Sequence, residues 1–158
     1  MDLPAHSYLN ERRIPYRRLE FSAETEKGAA NVAHALGFGE GQMVKTLLFR
    51  TGTGELVLVM LGGDQHAISG QLKRALGSRN ISLANPDMVL EVTGYAVGSI
   101  PPFHWQPPGF RSFLDSALTE YSELGVGAGV WGNEIVMTPS DLIAASRAEV
   151  FNLTRRDP

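Results

Sequence analysis

The sequence predicts an α+β fold built on a mixed sheet. Helical and strand patterns interleave along the chain without the regular strand–helix–strand alternation of a parallel α/β sheet. Two apolar strands joined by Thr51-Gly52-Thr53-Gly54 form a strong hairpin signal, so at least one pair is antiparallel. Of the 158 residues, 43% are hydrophobic. That supplies one substantial core, since a chain of this length buries roughly 68–70% of its unfolded surface. No repeat or composition break divides the chain, and residues 1–158 are read as one domain.

Residues 2–13 read as a helix with Leu3 and Leu9 toward the core, stopped by Pro15. A strand follows over 16–21, then a turn over 22–25. Residues 25–36 carry Ala29, Val32, Ala33 and Leu36 at helical spacing, and Gly37 is placed to cap the end. Residues 44–50 and 55–61 are the two hairpin strands. A helix over 68–76 ends at Gly77, and a short strand follows over 80–83. Pro86 opens another helix, since proline fits the first turn. The stretch 94–110, rich in glycine and proline, is a structured loop because apolar strands flank it. Strands are predicted over 111–114 and 123–127 with a helical turn over 116–121 between them, and again over 133–137. Thr138-Pro139-Ser140-Asp141 is a helix start, with Thr as cap and Pro in the first position. Residues 148–153 read as a last strand.

Composition excludes several chemistries. The chain has no cysteine, so there is no disulfide scaffold, thiolate zinc site, Fe–S cluster or cysteine nucleophile. His6, His34, His66 and His104 are scattered, and no pair has metal-binding helical spacing; no metal is expected. Residues 1–11 lack the apolar run of a signal peptide. The longest apolar stretch, 56–61, is far below the ~20 residues of a membrane helix. The expectation is a soluble, cytoplasmic protein with no membrane partner. A net charge of −3 argues against general nucleic-acid binding and against a DNA partner. Arg12, Arg13, Arg17 and Arg18 still form a local cluster, readable as a phosphate-binding patch or as a solvated charged face.

One hydrolase motif is missing and two other motif matches fail. No serine lies in a G-x-S-x-G elbow. Gly127-Ala128-Gly129-Val130-Trp131-Gly132 fits G-x-G-x-x-G, but the segment after it reads as a strand rather than a helix, so glycines at a tight turn explain it better. Lys45-Thr46 looks like the end of a phosphate loop, but Val44 stands where glycine is required. Lys45 itself is unusual. On a strand it shares a face with Leu47 and Phe49, and a lysine there either snorkels to water or aims its charge into a pocket. The segment Gly98-Ser99-Ile100-Pro101-Pro102 is either a plain turn or a stiffened loop that offers backbone N–H groups to a ligand.

At these residues the chain resembles the YbaK/ProX family, small trans-editing aminoacyl-tRNA deacylases whose domain is also inserted in many bacterial prolyl-tRNA synthetases. The resemblance runs through Val44-Lys45-Thr46-Leu47, the Gly63-Asp64 turn with Gln71-Leu72-Lys73-Arg74-Ala75-Leu76-Gly77, and Thr93-Gly94-Tyr95-Ala96-Val97-Gly98-Ser99-Ile100-Pro101-Pro102. It continues in Phe113-Leu114-Asp115-Ser116-Ala117-Leu118, Val126-Gly127-Ala128-Gly129 and Met137-Thr138-Pro139-Ser140-Asp141-Leu142. It implies a strongly curved, partly barrel-like mixed sheet with helices around it, and hydrolysis of the ester joining a wrong amino acid to tRNA, such as Cys or Ala on tRNA for proline. It implies no metal or organic cofactor.

The resemblance also assigns residues. Lys45 takes the place of the family's important lysine, and Gly98, Ser99 and Ile100 belong to its G-x-x-x-P loop. Thr46, Pro101, Pro102, Asp115 and Gly127 would contact substrate, with Phe21 as pocket wall where the family often has a tyrosine. Arg12, Arg13, Arg17 and Arg18 would then meet tRNA phosphates, with prolyl-tRNA synthetase a candidate partner. An aminoacyl ester is already activated, so positioning it beside water and donors can suffice without a dedicated nucleophile. Two alternatives remain at this stage: a non-catalytic tRNA- or synthetase-binding module, and a small-molecule-binding or unrelated hydrolytic protein on the same fold. The aromatic segment 103–108 could cover the site, or Trp105 could pack under its own loop.

Overall fold

The computed structural model describes residues 1–156. Five α-helices and eight strands follow one another in the order α1 (Pro4–Arg12), β1 (Arg17–Glu20), α2 (Ala29–Leu36), β2 (Val44–Thr51), β3 (Leu56–Gly62), α3 (Ser69–Leu76), β4 (Ile81–Leu83), α4 (Pro86–Thr93), β5 (Ser112–Asp115), β6 (Leu124–Gly127), β7 (Asn133–Met137), α5 (Pro139–Ser146) and β8 (Glu149–Phe151). Short 3₁₀ turns, Glu40–Gln42 and Ser116–Glu120, precede β2 and follow β5.

The local signals act as their chemistry requires. Gly37, Gly77 and Gly94 each close a helix in the left-handed conformation, which glycine adopts without steric cost. The Asn85 and Thr138 side chains accept from the Met88 and Asp141 amides and cap α4 and α5, the bond that satisfies an otherwise orphaned donor. The helix expected over 25–36 begins only at Ala29, because Gly28 sits at φ 126°, outside the helical region.

The mixed sheet is in fact two sheets. Strands β4-β2-β3-β5-β8 form the larger one and β1-β7-β6 the smaller. In the larger sheet β2 pairs antiparallel with β3 and β4, while β3–β5 and β5–β8 are parallel. A single parallel bridge, Met43 to Gly125, links the two sheets just before β2. The mixed α+β architecture implied by the resemblance is present, with its strands divided between these two sheets.

Strand β3 is the keel. Its alternate residues serve different cores, as strand geometry dictates. Leu58 and Met60 face the main core with Leu9, Leu114, Val126, Ile135 and Leu142. Val57, Val59 and Leu61 face α3, through Leu72 and Leu76. A third, smaller cluster joins Val32, Ala33 and Met43 to Phe21 and Trp131. Among the described residues no helix is long and apolar enough to cross a membrane.

Candidate functional site

The short strand β4 creates the site. It pairs only with Phe49, Arg50 and Thr51 of β2, and the Ala84 amide adds one more bond, to the Leu48 carbonyl at 2.9 Å. At the other end stands the Met43–Gly125 bridge. Between them no strand is hydrogen-bonded to β2 on that side. In an antiparallel ladder successive residues turn their peptide groups to opposite edges. Leu48 points its carbonyl away from β3, so Thr46, two residues earlier, turns its N–H and C=O to the same open edge. The Thr46 hydroxyl is buried without a hydrogen-bond partner among the described residues. One residue thus brings an unpaired amide, carbonyl and hydroxyl to one place.

A cleft of about 210 Å³ lies over this edge. The start of α2 (Gly28, Ala29, Val32) forms one wall, and Val97, Gly98 and Ile100 form another, with Gly127, Trp131 and Glu134 behind them. No side chain among the described residues caps α2, so its first amides, beside the cleft, carry the partial positive charge of a helix N-terminus. Lys27 stands at the rim with its Nζ 3.9 Å from the centre of the Trp131 ring. Trp131 is held by a 3.0 Å bond from its Nε1 to the Thr25 carbonyl and by the edge of Phe21.

Lys45 is half-buried and lines the cleft. Its Nζ donates to the Gln65 carbonyl, which leaves two of its three N–H donors for a ligand. Gly98 has φ 102°, and an added Cβ would meet nothing within 4 Å. Its need for glycine is therefore conformational, not a matter of space. Gly127 is the opposite case: a Cβ there would lie 3.0 Å from the Ser99 carbonyl carbon and oxygen, so its bareness lets the loop reach the sheet.

Internal bonds stiffen the loop. Tyr95 Oη and His104 Nε2 are 2.6 Å apart, Trp105 Nε1 donates to the Pro101 carbonyl at 2.6 Å, and Gln106 Nε2 donates to the Pro102 carbonyl at 2.8 Å. Trp105 also packs on Phe110. It lies under its own loop and does not cover the cleft.

The structure thus gathers Lys45, Thr46, Gly98, Ile100 and Gly127 around one cavity, with the Ser99 backbone against Gly127. Other expected contacts lie elsewhere. Phe21 stands behind Trp131 and does not line the cleft. Pro101 and Pro102 are buried and serve the loop as acceptors. Asp115 is fully buried and holds the C-terminal segment, accepting from the Leu153 amide at 2.8 Å and the Thr154 hydroxyl at 2.6 Å. The arginine cluster is largely occupied. Arg17 forms a bidentate pair with Glu123, Arg18 binds Asp2 and the Met1 carbonyl, and Arg12 lies 3.7 Å over the Tyr8 ring. Arg13 closes α1 at φ 56°.

Glu134 is the site residue that sequence reasoning misses. It sits on β7 opposite Gly127, is 8% exposed, and has no hydrogen-bond or ionic partner among the described residues. Burial pushes its carboxyl up to about 8, because a charged form without partners is disfavoured away from water. The only sequence signal is an acidic residue directly before the apolar run Ile135-Val136-Met137. Among the described residues no group of three or more His, Cys, Asp or Glu could hold a metal ion.

The chain is similar to known proteins in both sequence and fold. A family model described as an aminoacyl-tRNA editing domain matches residues 23–145. The multifunctional Ser/Thr-tRNA deacylase ProXp-y of Escherichia coli (strain K12) is 31% identical over 128 residues, 78% of this chain and 76% of its own. EbsC of Enterococcus faecalis (strain ATCC 700802 / V583), named as a candidate Cys-tRNA(Pro)/Cys-tRNA(Cys) deacylase, is 24% identical over 150 residues, covering 94% and 91%. A crystal structure described as a candidate trans-editing enzyme for prolyl-tRNA synthetase superposes with a TM-score of 0.87 at 29% identity, over 99% of both chains.

Proposed function

The chain belongs to the aminoacyl-tRNA editing domain family, and from that premise we propose that it is a trans-acting deacylase, residues 1–158 acting as one domain. It hydrolyses the ester of mischarged aminoacyl-tRNA. The small cleft suits a small amino acid such as Cys, Ala, Ser or Thr, with tRNA for proline the first carrier to test and prolyl-tRNA synthetase the first partner. Work on translation sets its location in the cytoplasm. The observation that carries the reading is the unpaired Thr46 edge beside Lys45, facing the Gly98–Ile100 loop across a closed-in cleft.

The reaction adds a water oxygen to the ester carbonyl carbon and moves the carbonyl electrons onto oxygen. The tetrahedral species then collapses, the bond to the ribose oxygen breaks, and a proton from the attacking water ends on that ribose oxygen. Free amino acid and tRNA leave. The protein's part is placement and charge. Backbone donors of the Gly98 loop and the start of α2 face the developing oxyanion, an arrangement worth about 2.7–4 kcal/mol per donor where it has been measured. The free N–H groups of Lys45 hold the terminal nucleotide or the carbonyl oxygen by charge-assisted bonds. Thr46 fixes the aminoacyl group through its backbone edge and hydroxyl. Glu134 accepts the substrate's α-ammonium group. The two titrate close together, since an ordinary α-amine also lies near 8, so binding restores the carboxylate that burial suppresses.

The partly barrel-like curvature belongs to the same reading. The Met43–Gly125 bridge draws the smaller sheet onto β2, as a wrap around the cleft requires. The test is a panel of mischarged tRNAs. Release of at least one small amino acid well above the buffer rate is expected. A panel that stays fully charged would leave the chain a binding module.

A further inference from the structure

The 94–110 loop lines the cleft through Val97, Gly98 and Ile100. Two of its side-chain bonds lie wholly beyond those residues: Trp105 and Gln106 donate four positions back, to the Pro101 and Pro102 carbonyls. A different bond spans them. Tyr95 Oη and His104 Nε2, 2.6 Å apart, close the backbone into a ring that carries Gly98–Ile100. Both ends of that bond are fixed. The Tyr95 amide donates to Thr93 Oγ1 at 3.0 Å. The Tyr95 ring fills the space a side chain would take at Gly129, where a Cβ would lie 2.5 Å from it. With Ser99 over Gly127, the loop thus rests on two bare positions at the end of β6. His104 holds φ 80°, a left-handed conformation that a non-glycine residue keeps only where its surroundings impose it. Burial raises the Tyr95 hydroxyl and lowers the His104 imidazole from their ordinary values, so the bond joins two neutral groups at pH 7. Neither residue lines the cleft.

We propose that Tyr95 and His104 are positioning residues for ester hydrolysis: their bond holds the Gly98–Ile100 backbone where its N–H groups meet the reacting carbonyl. The role rests on the deacylase reading. A loosened loop leaves Lys45 and Thr46 free to bind the aminoacyl end, but it misplaces the donors at the transition state. Such misplacement, by about 1 Å, costs on the order of a hundredfold where it has been measured. The loss therefore falls on kcat rather than on KM. The test uses the full chain, the mischarged tRNA it hydrolyses fastest, and amide hydrogen exchange across residues 96–100. Tyr95→Phe removes one oxygen and keeps the ring against Gly129. It should lower kcat about tenfold, leave KM and the thermal midpoint near their wild-type values, and speed exchange across 96–100. His104→Gly removes the same bond while relieving the backbone, so it should lose kcat without losing stability. His104→Gln returns a polar atom to the place of Nε2 and should recover most of the rate. Tyr95→Phe combined with His104→Gly should be no slower than the slower single variant, because both delete one bond.

Tyr95→Phe with the wild-type kcat, or with unchanged exchange across 96–100, overturns the proposal, as does a double variant whose losses multiply. A loss confined to KM, or one that follows the melting midpoint in every variant, makes the pair a matter of binding or of folding and overturns it too. A wild type that deacylates nothing in the panel sinks the enzyme reading and this role with it. An active wild type beside an indifferent Tyr95→Phe sinks the role alone.

Discussion

Asp115 and Glu134 are both largely buried strand carboxylates, and the molecule treats them in opposite ways. Asp115 meets an amide and a hydroxyl and ties the C-terminal segment to β5. Glu134 meets no partner, and its carboxyl is pushed up to about 8. A buried carboxyl with partners is a fastening; a buried carboxyl without them is a cost that folding alone does not explain. The same contrast separates the region around Asp115, where polar groups are matched, from the cleft, where Thr46, Glu134 and the start of α2 are left open.

The largest expected effect tests the fastening. Asp115→Ala deletes two hydrogen bonds to a carboxylate and should cost about 3 kcal/mol or more of stability, read by denaturant unfolding. Activity per folded molecule should be kept. A stable variant without activity would return Asp115 to the substrate site. Lys45→Ala should do the opposite, raising the deacylation barrier by about 2 kcal/mol or more, at least about 30-fold in rate, while the melting midpoint holds. Lys45→Arg keeps the charge but not its shape and should restore only part. An unchanged rate in Lys45→Ala would empty the proposed mechanism.

Gly98→Ala should lower turnover several-fold to tenfold, since alanine resists the φ of 102°. Wild-type kinetics there would make the loop scaffolding. Glu134→Gln should show mainly in pH dependence. The folded carboxyl titrates near 8 and the unfolded one at its ordinary lower value. The folded state therefore keeps a proton that the unfolded state loses, and this contribution to stability declines as pH rises through that window. The variant lacks the titration, so its melting midpoint should fall less between pH 5 and pH 9. Parallel curves for wild type and variant would show that Glu134 is not the strained partner in the comparison.

Much of the fold was legible because its signals are local. Thr138, Asn85, Gly37 and Gly77 end helices by bonds and angles within a few residues, and the 51–54 turn fixes the β2–β3 hairpin. The split into two sheets was not legible, since it depends on β3, β5 and β8 meeting from far along the chain. The site was legible in part. Lys45 and Gly98 stand in recognisable short motifs. Glu134 alternates with Asn133 and Ile135 and looks like any strand residue; only folding removes its partners. Arg17 and Arg18 look free until Glu123 and Asp2 arrive.

The brevity of β4 has one more consequence. A strand that stops early leaves its neighbour able to pair with whatever extended chain comes by, and in most proteins that is a route to aggregation. Here the gap lies at the bottom of a cavity of about 210 Å³, walled by α2 and the 94–102 loop. A second polypeptide cannot lie down in so small a space, but a single aminoacyl group can. Lengthening β4 toward Thr46 would complete the sheet and, on the proposed function, leave nothing for an aminoacyl group to pair with: the site proposed here is a vacancy in β-sheet pairing, guarded by its own walls from larger claimants.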